Sequence, residues 1–219
     1  MKHIYPEQLS VHDYPCKKIE RVSFFGFADA PAEDPLYKLV YETAQSTAEK
    51  GYIVVNGGGP GVMEAAGRGA KAGGGKTIGV TFYPKDVTHF EGKNRANPMD
   101  DEIITTNYLE RTLRLLEYGQ VYMIFQGGSG TTSEFGMAWA MARLYYGHHK
   151  PLILVGDFWR DLIEAFKRNL RIREEELRVL HFASDAVEAV NILLEIDEDI
   201  VEMCYNYQPK SEEEKPFIL

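Results

Sequence analysis

Residues Val121 to Glu134 carry the strongest chemical signal in the chain: a short apolar run enters Gly127-Gly128-Ser129-Gly130, followed by Thr131, Thr132, Ser133 and Glu134. Glycines let a ligand come close to the backbone. A helix beginning here points unpaired N–H groups and the positive end of its dipole at an anion. Those N–H groups, with the hydroxyls of Thr131 and Thr132, can satisfy the acceptor oxygens of a phosphate. No lysine follows the loop, as a triphosphate-binding Walker loop requires. The expected ligand is therefore a monophosphate or another small anion. Thr131-Thr132-Ser133-Glu134 also fits a capping box, in which Glu134 only ties down a backbone N–H. A carboxylate beside a phosphate is repulsive, so a ligand-facing Glu134 needs a chemical reason to be there.

A second glycine junction precedes it. The apolar run Tyr52-Ile53-Val54-Val55-Asn56 meets Gly57-Gly58-Gly59-Pro60-Gly61, then Val62, Met63 and Glu64. The proline suits a first helical turn. Val62 stands where a GxGxxG pattern needs its last glycine, and no acid closes the next apolar run to hold a ribose, so a dinucleotide site is disfavoured. Gly57, Gly58, Gly59, Gly61 and Met63 are candidates for contacting a nucleotide; a tight turn serving packing alone is the alternative.

Both junctions need a scaffold. Apolar runs at 21–25, 52–56, 77–81, 102–105, 121–125, 151–155 and 179–182 alternate with helix-length segments at 35–50, 61–72, 107–118, 131–146, 158–168 and 185–195. This predicts an α/β fold, a Rossmann-like three-layer sandwich with a mainly parallel sheet of about seven strands. Ligands in such folds bind outside the carboxyl ends of the strands. Residues 83–100 read as a long loop able to close over a ligand. Residues 1–18 read as an N-terminal arm, 19–196 as one nucleotide-binding domain and 197–219 as a C-terminal tail.

The totals set limits. A chain of 219 residues, 44% hydrophobic, can bury one sizeable core. A net charge of −9 disfavours a broad nucleic-acid surface. No apolar run is long enough for a membrane span, and the first residues lack the apolar centre of a signal peptide. Cys16 and Cys204 are far apart and outside any metal-ligand spacing, as expected of reduced thiols in a cytoplasmic protein with no metal site. His148-His149 reads as a polar turn, and Glu174-Glu175-Glu176 as a solvated charge run. Asp100-Asp101 is a further candidate for orienting a base or ribose. The segment Phe135 to Leu144 is apolar almost all round, with Gly136 and Ala140 four apart. A homodimer or higher homo-oligomer is expected from it.

Taken in order, these residues resemble the LOG (lonely guy) family, once labelled lysine decarboxylases. Gly57 to Ala65 resembles its first glycine motif and Gln126 to Glu134 its second, and Arg111 lies fifteen residues before Gln126, where the family arginine is expected. The resemblance spans roughly residues 20–195. It implies hydrolysis of the N-glycosidic bond of a nucleoside 5′-monophosphate to free base and ribose 5-phosphate, without a cofactor. It also implies that Arg111 and Glu134 form the catalytic pair, with Gly127, Gly128, Gly130, Thr131 and Thr132 on the phosphate. Three positions depart from the family pattern: Thr112 replaces the lysine after the arginine, Gln126 the proline opening the second motif, and Ser133 its first acid. Molybdenum cofactor carriers resemble the chain in the same loops, so the resemblance also admits a non-catalytic binder of a phosphorylated, nucleotide-like ligand. No lysine is placed to form a pyridoxal phosphate Schiff base.

Overall fold

The computed structural model describes residues 18–83, 93–144 and 150–206. Among these residues, seven short strands and seven helices follow in the order β1 (Arg21–Phe25), α1 (Pro35–Glu49), β2 (Ile53–Asn56), α2 (Val62–Ala72), β3 (Thr77–Phe82), β4 (Asp101–Thr105), α3 (Tyr108–Tyr118), β5 (Val121–Ile124), α4 (Ser129–Leu144), β6 (Leu152–Val155), α5 (Phe158–Asn169), α6 (Glu174–Leu177), β7 (Leu180–Ala183) and α7 (Ala186–Asn206). Every strand pair is parallel, in the order β4-β3-β2-β1-β5-β6-β7. The expected α/β Rossmann-like architecture is what forms.

The strands are nearly continuous apolar runs because both faces of the sheet are covered. Helices α1, α2 and α7 bury Val40, Ala65 and Leu193 against one face. Helices α3, α4 and α5 bury Leu115, Phe135 and Ile163 against the other. Strand β1 feeds both layers: Val22 and Phe24 point one way, Phe25 the other. Its Ser23 hydroxyl donates to the Leu115 carbonyl at 2.9 Å, tying α3 to the centre of the sheet. The chain winds from β1 towards β4 and then crosses back to β5 on β1's other side. That reversal is the switch point where such sheets open a crevice.

Three elements differ from the sequence expectation. Helix α4 starts at Ser129, two residues early, with the Thr132 N–H donating to the Gly128 carbonyl at 3.0 Å. Thr131 is then already helical and Glu134 lies a turn inside, so Thr131 to Glu134 is no capping box. A reciprocal cap forms instead on α3, where the Asn107 side chain accepts from the Glu110 N–H and Glu110 accepts from the Thr106 N–H and hydroxyl. Helix α7 continues through residue 196, where a tail was expected to begin. Asp197 is buried and accepts from the Ile19 N–H (2.8 Å) and the Tyr52 hydroxyl (2.9 Å), which binds α7 to the chain's entry into the sheet.

Asp100 stands just before β4. It pairs with Lys71 at 2.7 Å and accepts from the Thr77 N–H, and the Lys71 contact holds its carboxyl below the usual range. Residues 1–17, 84–92 and 207–219, with His148 and His149, lie outside the described residues. No helix among the described residues is long and apolar enough to cross a membrane, and no group of three or more His, Cys, Asp or Glu there could hold a metal.

Candidate functional site

A cavity of about 510 Å³ opens at the switch point, walled by the chain leaving β1, by α3 and by the first turns of α4. Its lining includes Gly57, Met63, Arg111, Gly128, Ser129, Gly130, Thr131 and Glu134, all singled out from the sequence. Gly58, Gly59, Gly61, Gly127 and Thr132 do not line it. The sequence reading missed the aromatic wall: Phe24, Phe25 and Phe27 from β1 and its exit, and Tyr108 from α3. These read as ordinary strand and helix apolar positions, so nothing local marked them.

Arg111 is buried despite standing between Glu110 and Arg114, at 6% exposure. The cap at Asn107 fixes where α3 starts, and Arg111 falls one turn in, facing the sheet. Its Nε donates to the Val80 carbonyl at 3.0 Å, and a terminal nitrogen donates to the Gly57 carbonyl at 2.9 Å and lies 3.1 Å from the Met63 Sδ. The guanidinium is thus anchored to β3 and to the exit of β2, with its plane fixed by several donors. A side chain at position 57 would collide with it, which is why that residue is glycine. Met63 both lines the cavity and touches the guanidinium.

Glu134 comes from α4 and is also buried, at 7% exposure, on the same cavity wall system. Ahead of it, the N–H groups of Ser129, Gly130 and Thr131 precede the first intrahelical bond, so they have no partner within the helix. The loop leading to them, residues 126–130, is exposed. Gly127 is small because Thr131 packs on it: a Cβ there would stand 2.7 Å from the Thr131 Cβ. Thr132 turns its hydroxyl back onto the Gly128 carbonyl at 2.9 Å, away from the cavity. Gln126 offers its carbonyl to the Phe27 N–H at 3.0 Å, prolonging the β1–β5 ladder by one step. Thr112 is fully buried in α3 and contributes nothing to the cavity wall.

The described part of the expected long loop, residues 93–100, packs on the first glycine junction. The Asn94 N–H donates to the Gly58 carbonyl at 2.8 Å. The buried Asn97 donates to the Asn56 side-chain oxygen and the Gly59 carbonyl, both at 3.0 Å. Asn56 in turn accepts from the Gly58 N–H at 2.8 Å.

Chemically, the cavity joins an open helix N-terminus, suited to an anion, with a fixed guanidinium and a buried carboxylate. Buried Phe24 and Phe25, with the more exposed Phe27 and Tyr108, give the cavity an aromatic side.

Known proteins carry the same arrangement of elements. Cytokinin riboside 5′-monophosphate phosphoribohydrolase of Mycobacterium tuberculosis is 32% identical over 134 residues, covering 60% of this chain and 68% of that one. The protein of the same name from Mycobacterium marinum is 30% identical over 172 residues, covering 74% and 89%. Among solved structures, the molybdenum cofactor binding protein of Rippkaea orientalis superposes with a TM-score of 0.62 at 25% identity, covering 82% of this chain and 98% of that one. The SLOG cluster4 family model matches residues 20–180, and the chain belongs to that family.

Proposed function

We propose that the protein hydrolyses the N-glycosidic bond of a nucleoside 5′-monophosphate, releasing free base and ribose 5-phosphate. The observation that carries this reading is the shared cavity: Arg111 and Glu134, both buried, line the same space as the open first turn of α4. The first turn takes the 5′-phosphate on its N–H groups. The sugar then lies towards Glu134. As the C1′–N bond breaks, positive charge develops on the ribose, and the Glu134 carboxylate stabilises it and orients the attacking water. Water's oxygen bonds to C1′ and its proton goes to the departing base. Arg111, held by the Val80 and Gly57 carbonyls, fixes the substrate and offsets the charge of Glu134.

The test is base release from a panel of purine and pyrimidine 5′-monophosphates, followed by chromatography. Glu134→Gln is expected to lower turnover at least ~100-fold, the scale of losing a transition-state electrostatic contact. A panel yielding no free base sinks hydrolysis.

A second reading keeps the cavity and drops the chemistry: carriage of a phosphorylated, nucleotide-like ligand. Thr112 in place of the family lysine favours it, as does the likeness to a molybdenum cofactor binding protein over 82% of the chain. Tight binding of a nucleotide without turnover is its signature. In either case we take the protein to act in the cytoplasm as a homodimer. Gly136 and Ala140 supply the contact, since both are exposed on α4 and a Cβ on Gly136 meets nothing within 4 Å. Sedimentation equilibrium at micromolar concentration measures it, and a purely monomeric mass refutes it.

A further inference from the structure

Tyr108 is the first residue of α3, and no family motif or glycine pattern draws attention to it. It lines the cavity from α3 and is 39% exposed. Asn107 caps the helix immediately before it in an extended conformation, its side chain accepting from the Glu110 N–H. The ring stands edge-on to Phe82, centroids 6.3 Å apart at 73°, so its orientation is supported from the β3 side. The other end of the ring reaches the cradle: the phenol oxygen lies 3.3 Å from where a Cβ on Gly130 would sit. The phenol therefore stands beside the first turn of α4, at Gly130.

We infer that Tyr108 is a phosphate ligand, its hydroxyl donating to an oxygen that the α4 amides do not reach. This rests on the reading above that the first turn of α4 holds a phosphate. A phosphate monoester has three terminal oxygens, and amides at one helix end approach it from one side. A second wall must serve the remainder, and the lysine that a family member would bring next to its arginine is here Thr112, buried in the core. Arg111 spends donors on the Val80 and Gly57 carbonyls. The phenol supplies a neutral donor from α3, beside the Gly130 position.

The consequence is selectivity: Tyr108 discriminates phosphorylated ligands from their unphosphorylated counterparts and leaves the base and sugar untouched. Tyr108→Phe keeps the ring and its edge contact with Phe82, so the melting temperature should stay within about 2 °C. Calorimetric titration with ribose 5-phosphate, AMP and adenosine supplies the readout. The variant is expected to bind ribose 5-phosphate and AMP roughly 10-fold more weakly, the scale of a hydrogen bond to a charged group, with adenosine unchanged. If AMP is turned over, KM rises by the same factor while kcat stays within about twofold. Equal affinity of wild type and variant for ribose 5-phosphate overturns the role of Tyr108 and leaves the cradle standing. A wild-type protein that binds neither phosphorylated compound overturns the cradle and Tyr108 with it. Equal loss for adenosine and AMP also counts against a phosphate contact and makes Tyr108 a base or sugar wall.

Discussion

The two glycine junctions look alike in sequence and do opposite things with their backbone. At the first, Gly57, Gly58, Gly59 and Gly61 are all buried. The Gly57 carbonyl accepts from Arg111, Gly58 from the Asn94 N–H, Gly59 from Asn97 and Gly61 from the Ala65 N–H. Gly58 and Gly61 have φ of 70° and 61°, in the left-handed region that favours glycine. At the second, residues 126–130 are exposed and Gly128, Ser129, Gly130 and Thr131 line the cavity. The first junction uses the small size of glycine so that protein can approach protein. On the proposed function, the second uses it so that a ligand can approach. One is a mount for Arg111, the other a cradle, and their separation means that stability and ligand affinity can be broken independently.

The largest test of that division is Gly57→Ala against Gly128→Ala. A Cβ on Gly57 would collide with the Arg111 guanidinium and stand 2.7 Å from the Met63 Sδ, while one on Gly128 meets nothing within 4 Å. Gly57→Ala is expected to cost about 2–4 kcal/mol, as overpacking against a buried charge does, and to abolish turnover by displacing Arg111. Gly128→Ala should cost under about 1 kcal/mol, since only a weak cap position changes, yet weaken ribose 5-phosphate binding by crowding the anion's approach. Thermal unfolding and titration of the two variants make the comparison. Comparable destabilisation by both would erase the distinction.

Asn97→Ala probes the mount from behind. The change removes donors to Asn56 and Gly59 from a side chain only 3% exposed and leaves the Gly59 carbonyl without that partner. About 1–3 kcal/mol of stability should be lost. Ribose 5-phosphate affinity should stay within twofold of wild type, because the proposed phosphate contacts come from α4 and Tyr108 and not from the first junction. A matching loss of affinity would show that the first junction also holds the phosphate.

Much of this was legible in the chain. Apolar runs of strand length between amphipathic segments gave the layer order and, through it, the end of the sheet where the cavity opens. The second junction announced itself by the hydroxyls behind its glycines. What stayed hidden depended on distance in space. Nothing in Tyr108-Leu109-Glu110-Arg111 says that the arginine is buried, because its partners are carbonyls at Val80 and Gly57. The run Ile196-Asp197-Glu198-Asp199 reads as an acidic tail, yet Asp197 is satisfied by Ile19 and Tyr52 from the other end of the chain. The capping signature was right in kind and wrong in place. A Thr-x-x-Glu pattern sits inside α4, while Asn107 and Glu110 make the working cap on α3. Glycine counts likewise could not rank the junctions, since the residues that fill the first one, Asn94 and Asn97, belong to a loop over thirty positions away.

The smallest expected effect concerns the far end of the helix that carries Arg111. Lys150 places its ammonium 2.6 Å from the Leu116 carbonyl and 3.1 Å from the Glu117 carbonyl, capping the C-terminus of α3, with the Tyr122 ring 5.8 Å away. Burial lowers its pKa to about 8, against 10.5 when exposed. The unfolded chain therefore binds more protons than the folded one between those values, and this group adds stability as pH rises from 8 towards 10.5. Tyr52 works the other way at the top of that window: burial, with Asp197 beside it, raises its pKa above the usual 10, so stability falls once unfolded tyrosine ionises. The clean interval is pH 8 to about 10. Over it, denaturant midpoints of wild type minus Lys150→Met should climb by an amount on the order of 1 kcal/mol, while ribose 5-phosphate affinity of the two proteins stays equal. A flat difference would mean that the two carbonyls keep the ammonium charged despite burial. A difference in affinity would mean that the mount of α3 reaches through Arg111 to the cradle, and the two junctions would then be one device.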